Sequence, residues 1–262
     1  MTARQSHEDG AAECPSAGLQ LPPLLSGRRA VVTGAARGIG KAVADAFTEA
    51  GASVVRLDVR ASGDVRGCDV ADEASVARTF EEAAAAGPID DIVHVAAIAT
   101  ISTLSDMSVA EFRRVIDVNL TGSFLVAREA AHRLRRGGNL VLFASQYGLK
   151  GWPLWGAYCA SKAGVLRLAD TLVGELAPKG IRVNTISPGT VDTEMVAVAT
   201  AEVARQSGTD AATIRARYEA AIPMGRYARP EEMASVAVAL CSGLCSYVSG
   251  SNIVVDGGEL SR

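Results

Sequence analysis

The sequence predicts an α/β protein in which a single doubly wound parallel sheet carries helices on both faces. Short apolar runs alternate with longer helical patterns through most of the 262 residues, as strands and crossover helices do in a parallel sheet. A glycine-rich turn, TGAARGIG, lies where the first of these strands meets the first helix. No internal repeat and no second composition regime interrupts the pattern, so we expect one domain over residues 27–262.

The predicted strands and helices alternate in chain order. The apolar runs that predict strands are 29–34, 53–58, 89–97, 138–145, 181–187 and 251–258. The helical patterns are 38–51, 72–87, 108–136, 157–180 and 230–242. Gly51 can end the first helix, Gly122 marks the expected bend in the third, and Pro178 with Gly180 closes the fourth. Pro230 occupies the favoured first-turn position of the last helix.

Composition and charge exclude several functional classes. The chain is 48% hydrophobic and 21% charged, with a net charge of −3, which gives no electrostatic argument for a nucleic-acid or membrane partner. No apolar run approaches the roughly 18 residues of a membrane span. Residues 1–26 are polar without a signal-peptide core, which predicts a flexible leader. Five cysteines without a framework spacing predict free thiols in the cytoplasm and no metal site.

The glycine-rich turn predicts a site for a nicotinamide dinucleotide. Gly34, Gly38 and Gly40 would allow a tight turn and a close approach of the pyrophosphate to a helix N-terminus. Asp58 ends the second strand, where its carboxylate can accept hydrogen bonds from the adenosine ribose. Taken singly, the glycines are also compatible with turn geometry alone and Asp58 with a helix cap. Their occurrence in register favours the cofactor site.

Tyr158 and Lys162 are spaced four residues apart in a predicted helix, so their side chains lie on the same helix face. A phenol ordinarily ionises near pH 10, and a neighbouring cation favours the phenolate. The pair therefore has the chemistry of a tuned acid/base. An isolated pair of this kind is more often an ordinary tyrosine beside a solvated lysine.

An ordered set of motifs resembles the short-chain dehydrogenase/reductase family. The set is TGAARGIG, CDV, VNLTG, FAS, YCASK, ISPGTVDT and VVDGG, and the resemblance extends from about Leu25 to Gly258. It implies a single Rossmann-type domain, assembly as a homotetramer, and a small-molecule alcohol or carbonyl substrate. It also implies a substrate lid between the last two predicted helices, at about 193–229, where the length allows one or two helices.

The resemblance also implies the roles of individual residues. Tyr158 corresponds to the catalytic acid/base, and Lys162 to the cation that lowers its pKa and binds the nicotinamide ribose. Ser145 would hold the reacting oxygen, and Asn119 would bind a water that connects Lys162 to solvent. Besides Tyr158 and Lys162, the implied cofactor contacts are Gly34, Arg37, Gly38, Ile39, Gly40, Asp58, Asp69, Val70, Pro188, Gly189, Val191 and Thr193.

One segment departs from the family pattern. Where the family usually has Asn-Asn-Ala-Gly after the third predicted strand, this chain has His94-Val95-Ala96-Ala97. A lone histidine in such a position is more often part of a hydrogen-bonded core than of catalysis. Tyr147, Trp152 and Trp155 lie between Ser145 and Tyr158 in the sequence, and we expect them either to line the substrate pocket or to pack beneath its loop.

The predicted function is hydride transfer between a nicotinamide cofactor and a secondary alcohol or ketone, with polyols and sugars among the candidates. We expect NAD rather than NADP, since Asp58 would face a 2′-phosphate, whereas Arg37 can turn to solvent or pair with Asp58. The enzymatic alternative is a 3-oxoacyl-carrier-protein reductase that uses NADPH. The alternative from another class is a cofactor-sensing regulator without catalysis, which would be expected to lose the tyrosine or the lysine.

Overall fold

The computed structural model describes residues 23–261. Their strands are β1 (Arg29–Thr33), β2 (Ser53–Asp58), β3 (Val65–Gly67), β4 (Ile89–His94), β5 (Leu134–Phe143), β6 (Arg182–Pro188) and β7 (Asn252–Val255). Their α-helices are α1 (Gly38–Glu49), α2 (Glu73–Ala85), α3 (Val109–Ile116), α4 (Gly122–Arg133), α5 (Gly156–Leu176), α6 (Glu194–Ser207), α7 (Ala211–Ala221) and α8 (Pro230–Cys241).

The strands form one parallel sheet in the order β3-β2-β1-β4-β5-β6-β7. The chain builds outward from β1 to β3, then returns to the other side of β1 and continues from β4 to β7. The predicted fold class is therefore confirmed. The order reverses between β1 and β4, and the crevice beyond the carboxyl ends of these strands is where such sheets bind ligands.

Two hydrophobic cores lie on opposite faces of the sheet. Neighbouring residues of β4 show the division, because Ile92 packs into one core and Val93 into the other. The core of Ile92 includes Phe80 of α2 and Val165 of α5. The core of Val93 lies under α1 and α8, which pack against each other. Both faces are thus covered, so the functional groups of the strands are exposed only at the strand ends.

The helical pattern predicted over 108–136 divides into three parts. Helix α3 is followed by a π-helical segment, Asp117–Thr121, and α4 begins at Gly122, the residue at which the bend was predicted. A Cβ at Gly122 would lie 3.0 Å from Val70, so the small residue allows the helix to approach that loop. The last three residues of the predicted helix instead begin β5, since Leu134 pairs with Ile89.

The amino-terminal boundary of the domain lies earlier than the sequence predicted. Residues 1–22 of the predicted leader are outside the described residues. Leu25 is fully buried in the core beneath α1 and its backbone N–H donates to the carbonyl of Ala50 at 2.9 Å. The segment from residue 23 to residue 26 therefore belongs to the folded domain.

The predicted lid consists of two helices, α6 and α7. The Thr193 side chain accepts a hydrogen bond from the backbone of α6, and Asp210 caps α7 in the same way. Gly208 ends α6 with a positive φ of 64°. Among residues 23–261, no helix has the length and apolarity needed to cross a membrane.

Candidate active site

A cavity of about 590 Å³ opens at the carboxyl ends of β1, β2, β4, β5 and β6, beside the point where strand order reverses. Its volume is in the range of small-molecule sites. Of the residues predicted to bind cofactor or act in catalysis, all but Asn119 line it. They are Gly34, Arg37, Gly38, Ile39, Gly40, Asp58, Asp69, Val70, Ser145, Tyr158, Lys162, Pro188, Gly189, Val191 and Thr193.

The turn between β1 and α1 requires glycine at two positions. Gly34 has a φ of +70°, and a Cβ there would lie 2.8 Å from the backbone nitrogen of Ala96. A Cβ at Gly40 would lie 2.0 Å from the carbonyl oxygen of Gly34. Side chains at either position would therefore push the turn away from its neighbours. The result is a bare backbone surface along the cavity wall.

The N-terminus of α1 forms part of this surface and has no internal cap. Its N-cap residue, Arg37, makes no side-chain cap hydrogen bond, and the first turn carries no acidic residue. The first backbone N–H groups of a helix lack intrahelical partners and carry a partial positive charge. Gly38, Ile39 and Gly40 line the cavity, so this end of α1 has the form of an anion site for a pyrophosphate.

Asp58 is held rigidly at the end of β2. One of its carboxylate oxygens accepts from the backbone N–H of Ala36 at 3.1 Å, and the other accepts from that of Arg60 at 2.9 Å. Each oxygen retains a lone pair for a further donor. The backbone thus orients the carboxylate at the cavity wall.

Arg37 makes a contact that the sequence did not predict. We expected its side chain to turn to solvent or pair with Asp58, but it forms an ion pair with Glu194 in the first turn of α6. Both residues line the cavity. The pair therefore joins the glycine-rich turn to α6, the first helix of the segment predicted to form a lid.

Ser145, Tyr158 and Lys162 meet at the end of the cavity near β5. Ser145 follows β5, and the other two lie one turn apart on α5. The Lys162 Nζ donates to the carbonyl of Phe143 at 2.7 Å and lies 5.7 Å from the centroid of the Tyr158 ring. The Ser145 hydroxyl lies close enough to the Tyr158 hydroxyl to lower its pKa. A substrate oxygen could thus reach the hydroxyls of both.

Burial shifts the pKa values of the tyrosine and the lysine in opposite directions. Burial raises the pKa of Tyr158 to about 12, and the hydrogen bond from Ser145 opposes this change. Burial lowers the pKa of Lys162 to about 7. In both cases the surroundings disfavour the charged form. Without a ligand, Tyr158 is therefore a neutral phenol at neutral pH, which is the form that donates a proton.

Asn119 lies outside the cavity wall and connects two backbone segments. Its Oδ1 accepts from the Ile98 N–H at 2.9 Å, and its Nδ2 donates to the Ile98 carbonyl at 2.9 Å and to Ser161 Oγ at 3.0 Å. The amide thus fixes the loop after β4 to α5, next to Lys162. The water-binding role implied for Asn119 stays a prediction.

His94 is buried at the end of β4, with its ring against Thr33 of β1. Its Nδ1 lies 2.8 Å from Thr33 Oγ1. The same hydroxyl accepts from the N–H groups of Val95 and Ala96 at 3.2 and 3.4 Å, so its only proton is directed at Nδ1 and the imidazole proton is assigned to Nε2. Burial and the Lys162 charge lower the pKa of His94 to about 3. The histidine is neutral and orders the cavity wall.

The aromatic residues between Ser145 and Tyr158 in the sequence pack around Tyr158 and do not line the cavity. The ring of Tyr147 stacks on Trp152 with centroids 5.4 Å apart, and lies edge-on to Tyr158 at 6.3 Å. Trp155 contacts Tyr158 at 5.5 Å. Within residues 23–261, no group of three His, Cys, Asp or Glu side chains could hold a metal ion.

Sequence reasoning missed two parts of this site. The loop from Val95 to Ile98 lines the cavity, although its residues depart from the family pattern. Gln146 and Glu259 form a hydrogen bond beside the aromatic residues, and no local pattern connects them. Only proximity to Ser145 and to the VVDGG motif could have indicated them.

The chain matches known proteins over most of its length. A family model described as Enoyl-(Acyl carrier protein) reductase matches residues 34–259. D-threitol dehydrogenase of Mycolicibacterium smegmatis is 36% identical over 252 residues, which cover 89% of this chain and 93% of that protein. A 3-oxoacyl-[acyl-carrier-protein] reductase of Aquifex aeolicus is 33% identical over 255 residues, with 89% and 98% covered.

One further relative is matched over less than half of its length, and one solved structure is matched over nearly all of its chain. An uncharacterized short-chain type dehydrogenase/reductase of Sinorhizobium fredii is 38% identical over 249 residues, or 90% of this chain, but the match spans 44% of that longer protein. Among solved structures, the ligand-free aldohexose dehydrogenase of Thermoplasma acidophilum superimposes with a TM-score of 0.84 at 30% identity. The superposition covers 91% of this chain and 96% of that one.

Proposed function

The chain belongs to the short-chain dehydrogenase/reductase family of NAD(P)-dependent oxidoreductases, and we propose that it interconverts a secondary alcohol and its ketone with a preference for NAD. The observation that carries this proposal is the arrangement of one cavity. Ser145, Tyr158 and Lys162 converge at one end, and the glycine-rich turn, the uncapped end of α1 and Asp58 form the other. Acid/base chemistry and dinucleotide binding are thus combined in a single site.

The residues present fit a nicotinamide dinucleotide. The bare backbone at Gly34 and Gly40 and the free N–H groups of α1 would bind the pyrophosphate. Asp58 would accept hydrogen bonds from the adenosine ribose hydroxyls, and Lys162 would donate to the nicotinamide ribose. The cofactor supplies the hydride acceptor or donor when it is bound.

Tyr158 supplies the proton chemistry. For ketone reduction, the neutral phenol donates its proton to the carbonyl oxygen, which Ser145 also holds by a hydrogen bond. For alcohol oxidation, the phenolate accepts the hydroxyl proton. Lowering the pKa of Tyr158 from about 12 to about 7 requires about 7 kcal/mol of preferential phenolate stabilisation. The Lys162 ammonium would provide part of this stabilisation, and an oxidised nicotinamide, which is also positive, would add to it when bound.

The preference for NAD follows from the charges at the adenosine end. A 2′-phosphate there would face the carboxylate of Asp58, whose orientation is fixed by two backbone donors. Arg37, the cation best placed to compensate, is already paired with Glu194. A repulsion at contact distance then has to be offset by an arginine that must first leave its partner.

A 3-oxoacyl-carrier-protein reductase using NADPH is the second candidate. The observation that favours it is that Arg37 and Arg60 both line the cavity near Asp58. Such an enzyme should prefer NADPH and act on acyl thioesters.

The resemblance to the family also leads us to propose a homotetramer in the cytoplasm, and light scattering of the purified protein tests the oligomeric state.

The test is a steady-state survey of the purified protein with NAD and NADP, in both directions. The alcohols are a four-carbon polyol, an aldohexose and an apolar secondary alcohol, and the reduction substrate is an acetoacetyl thioester. The proposal expects oxidation of at least one alcohol, with a higher kcat/KM for NAD. Reduction of the thioester with NADPH, without oxidation of any alcohol, would support the second candidate.

A further inference from the structure

A polar cluster beside Tyr158 is formed by residues from three parts of the chain. Gln146 and Tyr147 follow Ser145, Tyr218 belongs to α7 of the lid, and Glu259 lies on the 3₁₀ turn after β7. The Gln146 Nε2 donates to a carboxylate oxygen of Glu259 at 2.9 Å. Loop, lid and C-terminal segment thus meet next to the catalytic tyrosine.

The cluster is held in place from both sides. Asp256 accepts from the N–H groups of Gly258 and Leu260 at 2.9 and 2.8 Å, which fixes the turn that carries Glu259. The Gly257 carbonyl accepts from the Met224 N–H at 3.2 Å, so this turn is also docked on the end of the lid. The position of the Glu259 carboxylate is therefore set by the fold.

Two polar atoms of this region are buried without a protein partner. Gln146 is only 2% exposed, and its Oε1 accepts no hydrogen bond. The Trp155 ring contacts Tyr158, and its Nε1–H is a buried donor that has no acceptor in the protein. A buried polar group without a partner costs about 1–3 kcal/mol. A ligand with both donors and acceptors would recover that free energy.

The cluster also has a definite charge. Glu259 is half-buried, and burial raises the pKa of its carboxyl group. Burial raises the pKa of the Tyr147 and Tyr218 phenols, and the nearby Glu259 charge adds to the shift in both. Lys150 is the cation that faces Glu259, and Asp256 adds a second negative charge. The environment therefore accepts hydroxyl donors and repels anions.

We propose that Gln146 and Glu259 select a neutral polyhydroxylated substrate, a polyol or a sugar, and discriminate against carboxylate-bearing alcohols. This inference rests on the proposed function, because it concerns the same site. Substrate hydroxyls would donate to Glu259 and to Gln146 Oε1, while the rings of Tyr147 and Trp155 cover the C–H faces. None of these four residues lines the cavity described above, so a cofactor held there would not occupy their polar atoms.

The test compares three secondary alcohols of four carbons with NAD as the cofactor: D-threitol, 2-butanol and 3-hydroxybutyrate. For the unmodified enzyme we expect the highest kcat/KM with D-threitol and the lowest with 3-hydroxybutyrate. Glu259→Gln keeps the size of the side chain and removes its charge. It should lower the kcat/KM ratio of D-threitol to 2-butanol about tenfold, as expected for one hydrogen bond to a charged acceptor, and raise the ratio of 3-hydroxybutyrate to 2-butanol.

Two further variants keep the test decisive. Gln146→Met removes the amide at similar volume and should lower the D-threitol ratio in the same direction. Glu81→Gln, an exposed position on α2, is the matched control and should change neither ratio. Circular dichroism and NAD titration establish that each variant is folded and binds cofactor.

The outcomes separate this inference from the proposed function. Oxidation of 2-butanol with D-threitol no better, or equal losses on all three alcohols in Glu259→Gln, would overturn the inference and leave the proposed function standing. No oxidation of any alcohol by the unmodified enzyme would count against the proposed function itself. In that case the melting temperature of the NAD-bound protein tests the inference separately. D-threitol should raise it, and an unchanged melting temperature would overturn the inference.

Discussion

Replacing His94 by asparagine should remove a loss of stability that the protein undergoes on acidification. The imidazole is buried and neutral, and its pKa is lowered from 6.5 to about 3, mainly by burial. In the unfolded chain the same group takes up a proton below pH 6.5. Because the unfolded state then binds more protons than the folded state, stability falls as pH falls from 6.5 towards 3.

The magnitude follows from the two pKa values. The gap between 6.5 and about 3 corresponds to about 5 kcal/mol when titration is complete, at about 1.4 kcal/mol for each pKa unit. At about pH 5, where the unfolded imidazole is mostly protonated and the folded one is neutral, the loss is about 2 kcal/mol. Asparagine does not titrate, and it is the residue that the family pattern has at this position.

The assay is urea denaturation at pH 7.5 and pH 5, at one protein concentration so that assembly does not differ between samples. The unmodified protein should lose about 2 kcal/mol more than His94→Asn between the two conditions. His132→Asn is the matched control, since His132 is exposed on α4, and it should behave like the unmodified protein. The carboxyl groups titrate in all three proteins and cancel in the comparison. An equal pH dependence for the unmodified protein and His94→Asn would show that burial of His94 does not cause the loss of stability.

Three other predictions address the cofactor site and the domain boundary. Lys162→Ala should lower both turnover and NAD affinity, because one ammonium serves the phenolate and the ribose; unchanged values in both measurements would contradict the dual role. Asp58→Ala should narrow the kcat/KM preference for NAD over NADP, since it removes the carboxylate that a 2′-phosphate would face; an unaltered preference would show that other groups set it. A protein lacking residues 1–22 should retain full activity, whereas Leu25→Ala should lower the free energy of unfolding by about 2–5 kcal/mol, and equal stability of Leu25→Ala and the unmodified protein in urea would argue against the earlier boundary.

The sequence was sufficient for the fold and for most of the cavity wall. Strands that are buried on both faces have continuous apolar sequences, which makes them easy to predict. The glycines of the first turn lie directly between such a strand and a helical pattern. Strand β3 was not predicted, because Val65–Gly67 has no apolar pattern. It is the edge strand of the sheet and pairs with β2. The π-helical segment Asp117–Thr121 has no composition signal either, and it packs against α5, which is distant in the sequence.

Contacts between distant parts of the chain could not be predicted. Arg37 and Glu194 are 157 positions apart, and Gln146 and Glu259 are 113 apart. Each pair is brought together by the docking of the lid or of the C-terminal segment. A single sequence contains no periodicity that encodes such a pairing, so Arg37 was expected to face solvent or Asp58.

We propose that Tyr158 exchanges the proton that accompanies hydride transfer in this cavity. The most direct test is single-turnover hydride transfer, followed by nicotinamide absorbance at saturating NAD, in the unmodified enzyme and in Tyr158→Phe. Tyr247→Phe, at a fully exposed tyrosine, is the matched control. Tyr158→Phe should bind NAD with unchanged affinity and transfer hydride about 10²- to 10⁴-fold more slowly, the usual contribution of a general acid or base. A rate close to that of Tyr247→Phe would contradict the account.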